Sequence, residues 1–364
     1  MNKRSLISLY SGGGGLDLGL ENAGFRTLYA NDLESLCQKT YDLNLPHTKF
    51  FSGSVIDFLD YLEIEKTKNP ETFENIDLLA GGPPCPPFSK SRFYRKEMPR
   101  ALDDPTAEIT ISSYFKALEL LQPKAFIFEN VAGITFKSHK DAFEFITSTA
   151  ESLGYKISWK IINTADYGVP QIRQRFIMVG IKGKKFVFPE ETHSKEGGLY
   201  KKKWLACGSV LNDLDTEENA DDTGHFAGGK HHNLLKEVPP GDNYLYFTEK
   251  RGYSNPVFKW RSRYWSFLLK LDPNLPSWTI QARRSNNMGP FHWRNRILRI
   301  EEVKRIQTFP DSWQLAGTIE QQWRQVGNAV PPLFAEILGH ELSRQMEKST
   351  NNECLLESTE NKIY

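Results

Sequence analysis

Ser5-Leu6-Ile7-Ser8-Leu9-Tyr10-Ser11-Gly12-Gly13-Gly14-Gly15-Leu16-Asp17 reads as a short strand that breaks into a glycine turn and enters a helix. Residues 5–10 form a mostly apolar run of strand length. Residues 16–23 have helical character and stop at Gly24, a natural helix end. Strand, glycine turn and helix are the opening unit of a doubly wound α/β sheet, in which ligands approach the backbone at the carboxyl edge of the strands. Working outward, residues 26–31 read as a second strand closed by Asp32, and 34–43 as a helix. Strands follow at 76–80 and 124–128 with an apolar-periodic helix over 109–121 between them. A helix over 141–153 leads to strands at 157–163 and 175–181. Strands alternating with helices predict an α/β fold with a mostly parallel sheet covered on both faces.

After Gly183 the texture changes. Residues 184–260 are rich in Lys, Gly, His, Asn and acids with weak periodicity, which reads as a separate, less regular lobe. Residues 297–309 are helical again, 335–346 read as a final amphipathic helix, and 348–364 as a polar tail. A chain of 364 residues suits one large domain with a sizeable second lobe. Charged residues at 25% and hydrophobic ones at 39% are ordinary for a soluble protein. The net charge of +1 advertises no global basic field, although a local basic face can be offset elsewhere. The four cysteines, at 37, 85, 207 and 354, form no Cys-x-x-Cys pair, so no zinc ribbon or thioredoxin motif is expected and a reduced cytosolic setting fits. The apolar run after Met1-Asn2-Lys3-Arg4 is too short for a signal peptide, and no run approaches a membrane span.

Four constellations carry chemistry. The glycine turn does not match the G-x-G-x-x-G dinucleotide pattern, because Asp17 or Leu18 falls at the third glycine position, and a carboxylate at 17 would repel a pyrophosphate. Asp32, closing strand two, can hydrogen-bond ribose hydroxyls, so adenosine without phosphate fits better than NAD. The plainer account is a flexible turn with a surface acid. Next, Leu79-Ala80-Gly81-Gly82-Pro83-Pro84-Cys85-Pro86-Pro87-Phe88-Ser89 holds a thiol on a stiff loop after a buried strand, badly placed for packing and well placed to meet a substrate. Third, Phe128-Glu129-Asn130-Val131 puts a glutamate straight after an apolar strand. If that strand neighbours the one before Cys85, acid and thiol share a crevice, and burial there raises a carboxyl pKa and suits it to proton donation. Finally, in Gln171-Ile172-Arg173-Gln174-Arg175 the alternation puts two guanidiniums on one strand face, able to hold a carboxylate, phosphate or base oxygen.

Together with Gly327-Asn328-Ala329-Val330-Pro331, these motifs resemble, in order and spacing, the DNA cytosine-5 methyltransferase family. The resemblance covers about 1–182 and 276–345, including Trp278-Thr279-Ile280 and Gln307-Thr308-Phe309-Pro310-Asp311, and the compact form is similar to a bacterial modification enzyme. It implies a Rossmann-like S-adenosylmethionine-dependent fold over 1–182 completed by 322–346, a target-recognition lobe and hinge over 183–321, and a disordered tail over 347–364. It further implies Cys85 as nucleophile on carbon 6 of a flipped-out cytosine, Glu129 on ring nitrogen 3, and Arg173 and Arg175 on the base oxygen, the catalytic acid or phosphate. S-adenosylmethionine would lie along Tyr10, Gly12, Gly14 and Gly15, with Asp32 on the ribose and Asn328 and Ala329 near the methionine end. S-adenosylhomocysteine would be the product, and no metal is needed. Ser89, Arg283 and Arg284 would contact double-stranded DNA.

The same resemblance implies a cytoplasmic monomer with a cognate restriction endonuclease acting on the same site. Three departures stand out: Pro86 where glutamine usually follows the nucleophile, Ser54 where an acid often stands near the adenine, and Leu33 where an aromatic is common. In the variable stretch 183–275, Lys201 to Lys203, Lys230-His231-His232 and 259–265 (KWRSRYW) interleave basic and aromatic residues, which suits phosphate contact and base-edge reading. Trp260 and Trp265 equally suit a small core for that lobe. Against a zinc deaminase stands the absence of a second cysteine two residues beyond Cys85 and of a His-x-Glu partner. A tRNA-directed relative and a catalytically inactive DNA-binding relative remain as rival readings.

Overall fold

The structure, a computed structural model, describes residues 3–84, 104–218, 221–261 and 264–360. In chain order its elements begin β1 (Arg4–Leu9), α1 (Gly15–Asn22), β2 (Phe25–Asp32), α2 (Ser35–Asn44), β3 (Lys49–Ser52), α3 (Val55–Lys68), α4 (Pro70–Phe73) and β4 (Leu78–Gly81). They continue with α5 (Pro105–Leu121), β5 (Ala125–Val131), α6 (Lys140–Ser152), β6 (Tyr155–Asn163), β7 (Gln171–Ile172), β8 (Gln174–Lys182), β9 (His193–Ser194) and β10 (Lys202–Lys203). The last are α7 (Gly208–Leu211), α8 (His232–Glu237), β11 (Ser277–Trp278), α9 (Ile300–Ile306), α10 (Ile319–Asn328) and α11 (Pro332–Glu360). The chain divides into two units: 1–162 with 174–190 and 332–364, and 163–173 with 191–331.

The first unit is built on a seven-stranded sheet in the order β3-β2-β1-β4-β5-β8-β6. β1 pairs in parallel with β2 and β4, β2 with β3, and β4 with β5, while β5 and β8 run antiparallel. Leu6, Ile7 and Leu9, and Leu78 to Ala80, are fully buried, as a parallel strand covered on both faces requires. The order reverses between β1 and β4, so the crevice outside their carboxyl ends is the place for a ligand. The mostly parallel, doubly wound sheet is the one expected from the sequence. The helix α3 was not. Its signals are Ser54, which caps the helix by accepting from the Asp57 amide, and Val55, Phe58 and Leu62 on one buried face.

The C-terminal helix α11 closes this unit against α1. A side chain at Gly19 would meet the Pro332 carbonyl at 2.3 Å, and one at Gly339 would meet Ala23 at 2.7 Å, so the two helices touch nearly backbone to backbone. No proline follows Pro332, and the helix runs on to Glu360, past residue 346, where the sequence suggested that order ends.

The second unit is irregular, with the two-stranded parallel pairs β7–β11 and β9–β10. Arg296 and Glu302 form a fully buried ion pair with two contacts, at 2.9 and 2.7 Å. Glu302 also accepts from the Arg299 amide and so fixes the start of α9. Tyr244, Phe247, Phe258 and Phe267 make edge-to-face contacts. Trp260 and Trp265 are not its core; each is 40% exposed. No helix of the described residues is long and apolar enough to cross a membrane.

Candidate active site

In the first unit, four strand ends converge on one edge of the sheet. Gly12 and Gly14 have φ of 53° and 80°, a backbone that side chains disfavour, and the space beside Gly12 where a side chain would begin is open. Asp32 holds this turn: one carboxylate oxygen accepts from the Gly12 amide at 2.9 Å, the other from the Glu34 amide at 2.9 Å. Tyr10 donates to the Thr110 carbonyl at 2.6 Å, and burial keeps its phenol protonated far above the ordinary range.

Asp17 requires a correction. It does not face the turn, because its carboxylate is fully buried, with Ser8 Oγ donating at 2.7 Å and the Tyr41 hydroxyl donating to its other oxygen. Burial pushes its pKa up to about 6, against the pull of those two hydrogen bonds. What opposes a pyrophosphate is Asp32, whose carboxylate already occupies the amide that a phosphate would use. A neutral, open turn beside a carboxylate at the end of β2 fits an adenosyl group without phosphates.

Neighbouring β4 and β5 bring the next two motifs together, with Gly81 opposite Phe128. A side chain at Gly82 would lie 2.6 Å from Glu129 Oε2, so the glutamate lies directly over the backbone that leads to Cys85. Asn130, buried to 1% exposure, donates from Nδ2 to the Pro83 carbonyl at 3.2 Å, while its Oδ1 accepts from the Val131 amide. The side chain thus ties the loop to β5. Arg175, paired opposite Val131 across the antiparallel β5–β8 ladder, sets its Nε 3.0 Å from Glu129 Oε1, with both side chains about 15% exposed or less. Cys85 and Ser89 lie outside the described residues.

The two arginines of the Gln-x-Arg-x-Arg motif do not share a face. The chain leaves β7 at Ile172 and enters β8 at Gln174, and Arg173 belongs to the second unit. There it is fully buried and donates to the carbonyls of Ile280 (3.2 Å), Gly327 (2.9 Å) and Asn328 (3.3 Å). Its guanidinium therefore ties together backbone from three positions of this unit. Gln171 works with it, donating to Gln307 and accepting from the Ile280 amide. Asn328 ends α10 and is exposed, and Ala329 follows half-buried.

Of the basic candidates, Arg283 is exposed. Arg284 donates to the Gly224 carbonyl and pairs with Glu320 at 3.4 Å, both within its own unit. Lys201 pairs with Glu191, whereas Lys202 and Lys203 are exposed on β10. Ser54 serves as the α3 cap, and Leu33 is exposed beside Asp32. Sequence reasoning missed Gly82 and Asn130 as positioning residues. A glycine doublet before the prolines, and an amide side chain directly after the glutamate, were the available signals.

Comparison with known proteins gives the family. Residues 4–344 match the model of the C-5 cytosine-specific DNA methylase family. The chain is 37% identical to the type II methyltransferase M.SacI of Streptomyces achromogenes, over 94% of this chain and 93% of that protein. It is 32% identical to the type II methyltransferase M1.HphI of Haemophilus parahaemolyticus, over 91% and 84%. The same fold occurs in a chain encoded within an Escherichia coli prophage (TM-score 0.65, 24% identity, 95% of this chain and 100% of that chain). It occurs also in the Dnmt2 methyltransferase of S. pombe (TM-score 0.60, 15% identity, 95% and 99%). With nearly its whole length matched, the chain belongs to the C-5 cytosine-specific DNA methylase family and is a DNA (cytosine-5-)methyltransferase.

Proposed function

We propose that the chain methylates carbon 5 of cytosine within a specific double-stranded DNA sequence, using S-adenosylmethionine, by covalent catalysis from Cys85 on a base flipped out of the duplex. The observation that carries this reading is the convergence of Gly82, Pro83, Glu129, Asn130 and Arg175 at one strand edge. Carbon 5 of cytosine is a poor nucleophile. Addition of the Cys85 thiolate to carbon 6 makes carbon 5 electron-rich, and Glu129 relieves the charge that develops at ring nitrogen 3 by hydrogen bonding or protonation. Arg175 keeps the Glu129 carboxylate oriented, and Asn130 keeps the loop backbone in register with it. S-adenosylmethionine, when bound, supplies the electrophilic methyl group. The Gly12–Gly15 turn and Asp32 are the residues that would hold its adenosyl part. Loss of the carbon 5 proton then expels the thiolate and leaves 5-methylcytosine and S-adenosylhomocysteine. The target atoms are buried in a paired base, so the cytosine must leave the stack to reach this edge.

The type II methyltransferases among its relatives support a modification role. A restriction endonuclease of the same site, the bacterial cytoplasm and a monomeric enzyme complete the proposed reading. The test is methyl transfer from labelled S-adenosylmethionine to duplex DNA and to tRNA in parallel, with the modified cytosines mapped by sequencing. Label at carbon 5 of cytosines in one DNA sequence context supports the reading. Label in tRNA alone would replace the substrate, and label in neither would overturn the activity.

A further inference from the structure

Residues of two sequence motifs of the second unit that the reaction leaves unused, Lys230 and His231 of one and Lys259, Arg261 and Tyr264 of the other, meet around one cavity of about 690 Å³. Its size lies within the roughly 300–1,000 Å³ range of small-molecule sites. The walls are aromatic: Phe258 and Phe267 stand edge to face at 5.7 Å, and His231 packs on both at 5.4 and 5.6 Å. Tyr244 closes one side, its hydroxyl donating to the Arg261 carbonyl and accepting from the Arg261 amide at 3.1 Å, so the segment bearing Arg261 is fixed against the wall. Tyr264 is exposed on the lip.

Lys230, Lys259 and Arg261 also line the cavity and are exposed. Among the described residues no carboxylate lines it or pairs with any of these three cations. Uncompensated positive charge around an aromatic hollow calls for an occupant with a flat ring and a phosphate. The shape narrows the choice. A protein reads paired bases by inserting a convex element into a groove. A hollow cannot enter a groove; something must enter the hollow. From a duplex, the only part that offers a ring face is a nucleotide that has left the stack.

We propose that this cavity receives one unstacked nucleotide of the bound DNA, distinct from the target cytosine, with its base against Tyr264 and Phe258 and its phosphate on Lys230, Lys259 and Arg261. The inference rests on the enzyme acting on duplex DNA and deepens that reading. It makes the cavity a determinant of sequence choice, because extruding a base costs least at a weakly stacked position.

The test uses the full-length enzyme and duplexes containing its mapped site. Each non-target purine is replaced in turn by 2-aminopurine, each non-target pyrimidine by pyrrolocytosine, and the target by 5-fluorocytosine, so that covalent trapping reports a productive complex. One non-target position should brighten on binding. In Tyr264→Ala and in Lys259→Glu, both changes at exposed positions, that signal should fall to the level of free duplex at saturating enzyme. Tyr264→Ala should also weaken binding about tenfold, the loss of one stacked base. Trapping without brightening at any non-target position overturns the proposal, as does brightening that survives both substitutions. No trapping and no binding to any duplex would remove the DNA reading itself, and this inference with it.

Discussion

Gly82→Ala should cripple catalysis while leaving the protein folded. An added methyl group would sit 2.6 Å from Glu129 Oε2, and ordinary contact begins near 3.4 Å, so the carboxylate must withdraw by about 0.8 Å. The obstacle is the end of a side chain and not backbone, so the fold absorbs it, and the stability change should stay within about 1 kcal/mol. The cost falls on geometry. Withdrawal strains the 3.0 Å contact with Arg175 and carries the acid away from where it must meet the base. Misplacement by about 1 Å costs about a hundredfold in rate, and a general acid contributes about 10²–10⁴ in all. We therefore expect kcat for methyl transfer to fall about a hundredfold, with an unchanged unfolding midpoint and unchanged affinity for S-adenosylmethionine by calorimetry. A double-mutant cycle with Glu129→Gln separates this cause from others. If Gly82→Ala acts through Glu129, it should add little in the Glu129→Gln background. Wild-type turnover in Gly82→Ala, or fully multiplicative losses in the cycle, would refute the reasoning.

Three further outcomes follow from the same geometry. Arg173→Leu leaves three carbonyls, two of them in buried contacts, without their donor and should destabilise the protein by about 3 kcal/mol in urea unfolding; an inactive variant as stable as wild type would assign Arg173 to the substrate. Asp17 has a folded pKa of about 6 against an ordinary 3.8, so the folded state holds its proton more tightly than the unfolded chain. The resulting stability is full below about pH 4 and lost as pH rises to about 6, a change of about 3 kcal/mol. The stability difference between wild type and Asp17→Asn should shift by about that amount between pH 4 and pH 7, and a constant difference would contradict it. Arg283→Ala should reduce the salt dependence of DNA binding by about one counterion, whereas Arg284→Ala, which loses internal contacts, should lower the unfolding midpoint; the reverse pattern would exchange their roles.

What the sequence made legible was what depends on local order along the chain. The glycine turn, Asp32 at the end of β2, and Glu129 after an apolar strand all follow from a strand–turn–helix grammar that neighbouring residues specify. The β4–β5 adjacency that joins Glu129 to the Pro-Cys loop was stated as a condition, and the parallel pairing satisfies it. Side-chain direction was not legible. Asp17 looked like a ligand-facing acid from its position, but helix α1 turns it beneath the sheet edge toward Ser8 and Tyr41. Arg173 and Arg175, two residues apart, looked equivalent, and the break between β7 and β8 sends them to different tasks. The acceptors of Arg284, Gly224 and Glu320, are 60 and 36 positions away. Long-range contacts of that kind leave no trace in a window of sequence. The convergence of Lys230 with Lys259, Arg261 and Tyr264 was hidden for the same reason.

The central claim is that a thiolate from the Pro-Cys loop attacks the base. A duplex carrying 5-fluorocytosine at the mapped target tests it directly, because fluorine cannot leave as a cation and the adduct cannot resolve. Incubated with S-adenosylmethionine, the wild-type enzyme should form a complex that survives denaturation, and mass mapping should find the modified base on Cys85. Cys85→Ala should form none and still bind S-adenosylmethionine. An adduct on Cys37 or Cys207, both buried thiols, or on Cys354, would contradict the account, as would methyl transfer by Cys85→Ala.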